Sequence, residues 1–209
     1  MDNNNNAAKN RENQSQIVYK PLTGENSHVP VSWENNSTRT KFEKIKKNFG
    51  FGCMRLPMKD GKVDYAEFSQ MVDEFMAAGF NYFDPARVYL GGQSETAIRD
   101  CITKRYPRES FILTDKLSRQ LFKTESDVRP LFEKQLESCG VEYFDFYLMH
   151  AQNATNYEEY KRCRAYEQAF ELKAEGKIKH VGISFHDKAS VLDKILTEYP
   201  EIEVVQIQF

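Results

Sequence analysis

The chain has 209 residues, 40% of them hydrophobic, and a formal net charge of −2 at pH 7. This length and composition fit one soluble domain, or one domain with a tail, and the near-neutral charge gives no general case for binding nucleic acid or an anionic membrane. No apolar run approaches the roughly 18 residues that span a bilayer, and the N-terminal stretch MDNNNNAAKNRENQSQ lacks the apolar core of a secretory signal, so we expect a cytoplasmic protein.

The N-terminal region, residues 1–42, is rich in Asn, Ser, Thr, Gln and Lys and shows no hydrophobic period. Such a segment cannot bury enough apolar surface to offset the entropy of ordering it, which predicts a disordered polar tail. The basic stretch TRTKFEKIKKN (38–48) predicts a solvated face, with a phosphate or nucleic-acid patch as the alternative.

From residue 49 onward, apolar strands alternate with amphipathic helices. The predicted strands are residues 49–56, 81–86, 110–117, 143–150, 179–185 and 204–209. The predicted helices are residues 64–80, 94–106, 125–140, 156–175 and 187–199. We expect Ser94 and Asp187 to cap helix N-termini, and Gly79, Gly140 and Gly176 to end helices.

This alternation indicates a parallel sheet covered by helices, which is either an open doubly wound sheet or a (β/α)8 barrel. No G-x-G-x-x-G follows the first strand, so the barrel is favoured. The predicted fold is therefore α/β, an incomplete (β/α)8 TIM barrel of six strands and five helices over residues 49–209. The four cysteines stand far apart without C-x-x-C spacing, which predicts buried reduced thiols and no zinc site or iron–sulfur cluster within this chain.

Four side chains fall at the carboxyl ends of successive predicted strands, where TIM barrels carry their chemistry. They are Asp84, Tyr89 in the loop beyond it, Lys116 and His150. An ammonium beside a phenol lowers the pKa of the phenol, and a carboxylate holds the ammonium in place. The phenol could then protonate a carbonyl oxygen that the histidine orients, which suits carbonyl reduction by an external hydride.

Each of these residues also has a structural interpretation. Asp84 could cap a helix, and Tyr89 could cover an apolar edge. Lys116 could be solvated at a strand end, or it could form a Schiff base in a different class of barrel enzyme. His150 could be a hydrogen-bonded histidine of the barrel rim.

Several segments resemble the aldo-keto reductase superfamily, in the order and at the intervals typical of that family. They are GFGCMRLP (50–57), FDPARVYLGGQSE (83–95), TDKL (114–117), FDFYLMHAQN (144–153), GKIKHVGISFHD (176–187) and VVQIQF (204–209). The sequence of these segments is most similar to the branch that carries a C-terminal ferredoxin-like tail with two [4Fe–4S] clusters. The resemblance covers residues 49–209.

The resemblance implies that Asp84, Tyr89, Lys116 and His150 are a catalytic tetrad with Tyr89 as the general acid. It implies nicotinamide contacts from Ser184 and Gln206, and His186 stands close to where many relatives have an Asn. The implied activity is reduction of a small aldehyde or ketone with NADP(H), or alternatively NAD(H), and the implied site has no metal.

The sequence departs from the family pattern where it stops, because it ends in the sixth strand and the barrel of this family has eight. We therefore expect a C-terminally truncated barrel whose open edges are completed by another chain or by self-association. The competing hypothesis is a catalytically inactive remnant or a partner-binding module of the same fold.

Overall fold

The computed structural model describes residue 42 and residues 44–208. The predicted polar tail, residues 1–42, lies outside the described residues except at Phe42. The architecture below is that of residues 44–208.

The described residues form eight strands and six α-helices, with short 3-10 turns and one π-helical turn. The strands are β1 (Gly50–Gly52), β2 (Met58–Lys59), β3 (Lys62–Val63), β4 (Tyr82–Asp84), β5 (Ile112–Leu117), β6 (Phe144–Gln152), β7 (Ile178–Phe185) and β8 (Val204–Ile207). The helices are α1 (Tyr65–Ala77), α2 (Gln93–Ile98), α3 (Glu125–Cys139), α4 (Ala154–Arg162), α5 (Ala165–Ala174) and α6 (Ala189–Glu198). The π-helical turn Arg99–Thr103 continues α2.

Six of the strands form one parallel sheet in the order β1-β4-β5-β6-β7-β8. The sheet curls, and Gln206 on β8 donates to the Asp84 carboxylate on β4 over 3.0 Å. Strands β2 and β3 form a separate antiparallel hairpin. The predicted class, an α/β fold with a curled parallel sheet of six strands, is confirmed.

All six residues of β5 are buried, and so are seven of the nine residues of β6. Large aromatic side chains from the strands and from the covering helices fill the space between them, including Phe68, Phe83, Phe132, Phe144 and Tyr147. Burying each such side chain contributes roughly 1.5–3 kcal/mol. All four cysteines are buried free thiols.

One predicted helix is wrong in extent. Residues 156–175 were expected as a single helix, but the chain forms α4 and α5 there, so the described part has six helices instead of five. The break falls at Arg164, whose φ of 48° lies in the left-handed region that does not continue a right-handed helix. The predicted helix ends at Gly79, Gly140 and Gly176 are confirmed, since all three have positive φ.

Ser94 is not the predicted N-cap. Helix α2 begins one residue earlier, at Gln93, and the residue that precedes it is Gly92. The Ser94 hydroxyl instead donates to the carbonyl of Cys53 over 2.9 Å. A long-range partner has therefore replaced the local cap, and it ties α2 to the loop after β1.

Asp187 is also not the cap of α6, which begins at Ala189 without a capping side chain. Its carboxylate accepts from the backbone N–H of Ala154 over 2.9 Å and from that of Lys188 over 2.7 Å. The carboxylate thus accepts a hydrogen bond from the first residue of α4, an element that is remote in sequence. The two hydrogen bonds lower the pKa of Asp187.

Candidate active site

The carboxyl ends of the parallel strands bring all seven predicted site residues to one cleft. The cleft has a volume of about 400 Å³ and is lined by the four tetrad candidates and the three cofactor candidates, namely Asp84, Tyr89, Lys116, His150, Ser184, His186 and Gln206. These residues lie together because the carboxyl ends of parallel strands meet at one edge of a sheet.

Lys116 is the centre of the site, and its side chain is 1% exposed. Its Nζ lies 2.6 Å from Asp84 Oδ1, 3.1 Å from the carbonyl oxygen of Pro85 and 3.3 Å from Tyr89 Oη. Burial lowers the pKa of Lys116, but the charge of Asp84 and the hydrogen bonds to Asp84 and Tyr89 outweigh it, so the pKa lies above its usual value. The amine is therefore charged at neutral pH, which argues against a Schiff-base role, since that chemistry needs the neutral amine.

Tyr89 reaches Lys116 from a tight turn after β4. Its backbone N–H donates to the carbonyl of Ala86 over 2.9 Å, and a 3-10 turn runs from Tyr89 to Gly92. Gly91 and Gly92 have φ values of 65° and 91°, in the region that glycine adopts without strain. The Gly pair thus lets the chain turn sharply directly after the phenol.

His150 faces the same phenol from β6. Its Nε2 lies 3.4 Å from Tyr89 Oη, and its Nδ1 lies 2.7 Å from Ser118 Oγ. Burial, with the positive charge of Lys116 adding to it, lowers the pKa of His150 to about 4. The imidazole is therefore neutral at pH 7.

A bulge next to His150 shapes this edge of the cleft. The register between β6 and β7 shifts between Met149 and Gln152, and Ala151 has a φ of 52°, uncommon for a residue other than glycine. The N–H of Ala151 consequently points across the strands and donates to Ser184 Oγ over 2.7 Å. Bulges of this kind recur next to active sites because they redirect side chains.

The three cofactor candidates differ in their surroundings. Ser184 is 3% exposed, and its oxygen accepts the Ala151 N–H, which leaves the hydroxyl hydrogen to donate. Gln206 pairs with Ser184 in register on the neighbouring strand and donates its amide to Asp84 over 3.0 Å. His186 is exposed, and its backbone N–H donates to the carbonyl of Gln152 over 2.9 Å.

A buried polar cluster behind Lys116 was not found from the sequence as a site feature. Asp115 and Glu95 are both 0% exposed, and Gln135 Nε2 donates to the carbonyl of Lys116 over 3.0 Å and to Glu95 over 3.3 Å. Arg87 pairs with Glu95 over 2.6 Å. Strand alternation puts Asp115 on the face opposite to that of Lys116, but sequence spacing alone does not tell which helix residues meet it there.

Ser118 was also missed, although a signal existed. It directly follows the predicted strand 110–117, at the same kind of strand end that pointed to Lys116 and His150. The imidazole that Ser118 contacts belongs to His150, 32 residues further along the chain, so this pairing became apparent only in the fold.

No group of three or more His, Cys, Asp or Glu side chains within residues 44–208 is placed to hold a metal ion. No helix of the described part has both the length and the apolar character that a bilayer crossing requires.

The sequence matches the model of one known protein family over most of its length. The model of the aldo/keto reductase family matches residues 48–209. A probable NAD(P)H-dependent D-xylose reductase of Aspergillus terreus is 28% identical over 157 residues, covering 73% of this chain and 47% of that protein. The 4-dihydromethyl-trisporate dehydrogenase of Mucor mucedo is 33% identical over 106 residues, covering 48% of this chain and 30% of that protein. The chain thus spans less than half the length of these two relatives.

Solved structures show the same fold. An aldo-keto reductase of Bacillus halodurans, in its holo form, superposes with a TM-score of 0.64 at 25% identity, covering 77% of this chain and 53% of that one. An aldo-keto reductase of Klebsiella pneumoniae in complex with NADPH superposes with a TM-score of 0.63 at 20% identity, with the same coverage.

Proposed function

Because this chain belongs to the aldo/keto reductase family, we propose that it is an NAD(P)H-dependent oxidoreductase that reduces an aldehyde or ketone, with Tyr89 as the general acid. One observation carries the proposal. The Lys116 ammonium contacts both the Tyr89 hydroxyl, over 3.3 Å, and the Asp84 carboxylate, over 2.6 Å, at the wall of an open cleft.

Tyr89 donates the proton, and Lys116 stabilises the negative charge that the phenol acquires. When the phenol gives its proton to a carbonyl oxygen, negative charge develops on Tyr89 Oη, next to the ammonium that already lies 3.3 Å away. A preorganised charge in a buried site stabilises this developing anion without reorganisation. Asp84 keeps the ammonium fixed and balances its charge.

His150 orients the carbonyl oxygen. Its imidazole is neutral at pH 7, and its Nε2 lies 3.4 Å from the Tyr89 hydroxyl, so both groups border the same small volume. A carbonyl oxygen placed there can receive hydrogen bonds from both residues, which fixes its position relative to the acid.

A nicotinamide carboxamide fits the polar groups of Ser184 and Gln206. The Ser184 hydroxyl has a hydrogen to donate, because its oxygen already accepts the Ala151 N–H. Gln206 directs its amide N–H₂ at Asp84, which leaves its oxygen to accept, and among the described residues that oxygen has no hydrogen-bond partner. One donor and one acceptor side by side match the C=O and N–H₂ of a carboxamide. A reduced nicotinamide would supply the hydride; we assign NADP(H), with NAD(H) as the alternative, and His186 as a further contact at the exposed side.

Replacing Tyr89 tests the function. The 209-residue chain and its Tyr89→Phe variant would be assayed for oxidation of NADPH and NADH with a panel of small aldehydes and ketones. We expect kcat to fall by about 10²–10⁴ in the variant, the usual contribution of a general acid, with an unchanged Kd for the cofactor in a fluorescence titration. Tyr65→Phe is the matched control, because the Tyr65 hydroxyl contacts Thr96 on the surface. Equal rates for Tyr89→Phe and the parent chain would remove Tyr89 as the acid.

A second candidate function, a binding module of this fold without catalysis, is favoured by the two edges of the sheet. Within residues 44–208, β1 pairs with β4 and β8 pairs with β7, and a cleft of about 500 Å³ opens between β1 and β8. Edge strands pair readily with other chains. Sedimentation of the intact chain, together with cofactor titration, separates the two functions: tight cofactor binding argues for the reductase, and association through the edges without cofactor binding argues for the module.

A further inference from the structure

Ser118 lies behind the imidazole of His150. It follows β5 directly, is 1% exposed, and has its Oγ 2.7 Å from His150 Nδ1. The opposite ring nitrogen, Nε2, lies 3.4 Å from Tyr89 Oη. Each nitrogen of the imidazole therefore has one hydroxyl partner, and the single hydrogen of the neutral ring can sit on either nitrogen.

The buried hydroxyl of Ser118 decides between these two tautomers. Among the described residues, Nδ1 of His150 is the hydrogen-bond partner of Ser118 Oγ, and no other partner is present. If Nδ1 carried the hydrogen, Ser118 would accept it, and its own hydroxyl hydrogen would be buried without an acceptor. Buried donors in native proteins are almost always paired, because an unpaired one retains its full desolvation cost.

The surroundings of Tyr89 are compatible with the same tautomer. Lys116 is an ammonium and can only donate, so Tyr89 Oη accepts from it over 3.3 Å. If Nε2 were bare, the Tyr89 hydroxyl would donate its hydrogen to the ring, away from the cleft. With a hydrogen on Nε2, both neighbours donate towards the space around Tyr89 Oη, and the phenolic hydrogen is free to point at a ligand.

We propose that the Ser118 hydroxyl donates to His150 Nδ1 and thereby fixes the Nε2–H tautomer of His150, which makes Ser118 a positioning residue for proton transfer from Tyr89. This inference rests on the proposed reductase function for its catalytic consequence, but the tautomer itself does not depend on activity. The low pKa of His150 is consistent with it, because the ring must be neutral for a tautomer to matter.

Nitrogen NMR of the intact chain, labelled with ¹⁵N-histidine, tests the tautomer directly. The signal of His150 is identified by its loss in His150→Gln, since the chain has four histidines. We expect the parent protein to show a protonated Nε2 and an unprotonated Nδ1, and Ser118→Ala to show a mixture of tautomers or the Nδ1–H form. Ser110→Ala is the matched control, because the Ser110 hydroxyl contacts the Pro107 carbonyl on the surface. An Nδ1–H form in the parent protein, or an unchanged tautomer in Ser118→Ala, overturns the proposal.

Kinetics then test the positioning role. We expect Ser118→Ala to lower kcat roughly 10-fold with an unchanged cofactor Kd, less than the roughly 10²–10³-fold cost of deleting a donor to a developing oxyanion, because the imidazole remains. A changed tautomer with an unchanged kcat overturns the positioning role. A parent chain that reduces no carbonyl refutes the proposed function instead, and the NMR result still decides the tautomer.

Discussion

Two consecutive residues of β5, Asp115 and Lys116, are both buried and ionisable. Their environments differ, so that the charged form of Lys116 and the neutral form of Asp115 are favoured. Lys116 meets Asp84, the Pro85 carbonyl and the Tyr89 hydroxyl, and its pKa is raised in spite of burial. Asp115 accepts from the next backbone N–H over 2.7 Å and faces the thiol of Cys139 over 3.7 Å.

Within residues 44–208, Asp115 has no ion-pair partner, whereas Lys116 pairs with Asp84. Burial first, and then the negative charge of Glu95, raise the pKa of Asp115 well above its usual value, so the neutral acid is favoured. The comparison indicates that burial without a counter-ion favours the neutral form of a group, whereas a charge persists in the interior only where fixed partners surround it. The proposed site lies on the side of the strand on which the charge persists.

Removing the counter-ion of Lys116 is expected to have the largest effect. Asp84→Asn leaves an ammonium that is 1% exposed without a carboxylate. We expect a loss of free energy of unfolding toward the lower end of about 3–5 kcal/mol, the usual cost of breaking a buried pair, because the Asp84 side chain is itself 16% exposed. Urea unfolding followed by circular dichroism measures it, and an unchanged midpoint would show that the pair contributes nothing.

Replacing Asp115 by Asn is expected to have a smaller effect on stability, and this effect depends on pH. In the unfolded chain the carboxyl has a pKa of about 3.9, while the folded value is raised, so the native state holds a proton that the unfolded state loses as pH rises. The stabilisation is complete below the unfolded pKa and declines as pH rises toward the folded pKa. Asp115→Asn removes this decline, so its urea midpoint relative to the parent should increase between about pH 5 and about pH 8.

Asp127 provides a control of opposite sign for Asp115. Hydrogen bonds from the backbone N–H groups of Lys123 and Thr124 lower the pKa of Asp127, so its stabilisation is present above the unfolded pKa and is lost as pH falls. The urea midpoint of Asp127→Asn should therefore fall furthest below that of the parent at neutral pH. A difference between Asp115→Asn and the parent that stays constant with pH would mean that Asp115 keeps an ordinary pKa in the fold.

An exposed ion pair is expected to show the smallest effect. Glu137 and Lys134 pair over 2.7 Å on α3, with side chains 72% and 54% exposed. Solvent and salt screen such a pair, and ordering two long side chains opposes it. We expect Glu137→Gln to leave the urea midpoint unchanged within error, and a shift as large as that of Asp84→Asn would contradict the role given to burial.

Much of the candidate site could be predicted because strand ends are visible in the sequence. The apolar runs located β4 to β8, and the residues at or just beyond the carboxyl ends of these strands include the tetrad candidates and the cofactor candidates. The predictions of helix N-caps at Ser94 and Asp187 were wrong. The Ser94 side chain binds the Cys53 carbonyl, and the Asp187 side chain binds the Ala154 N–H. A capping residue has alternative partners that only the tertiary fold brings within reach.

The sequence by itself determined the parallel α/β architecture, because hydrophobic period is a property of the chain. Strand-end position and the family resemblance together predicted seven of the residues that line the cleft. Only the tertiary structure decided the charge of the ionisable groups: Lys116 is an ammonium, His150 is a neutral ring in contact with Ser118, and the raised pKa of Asp115 favours its neutral form. Charge state depends on burial and on partners remote in sequence, and no local pattern encodes either.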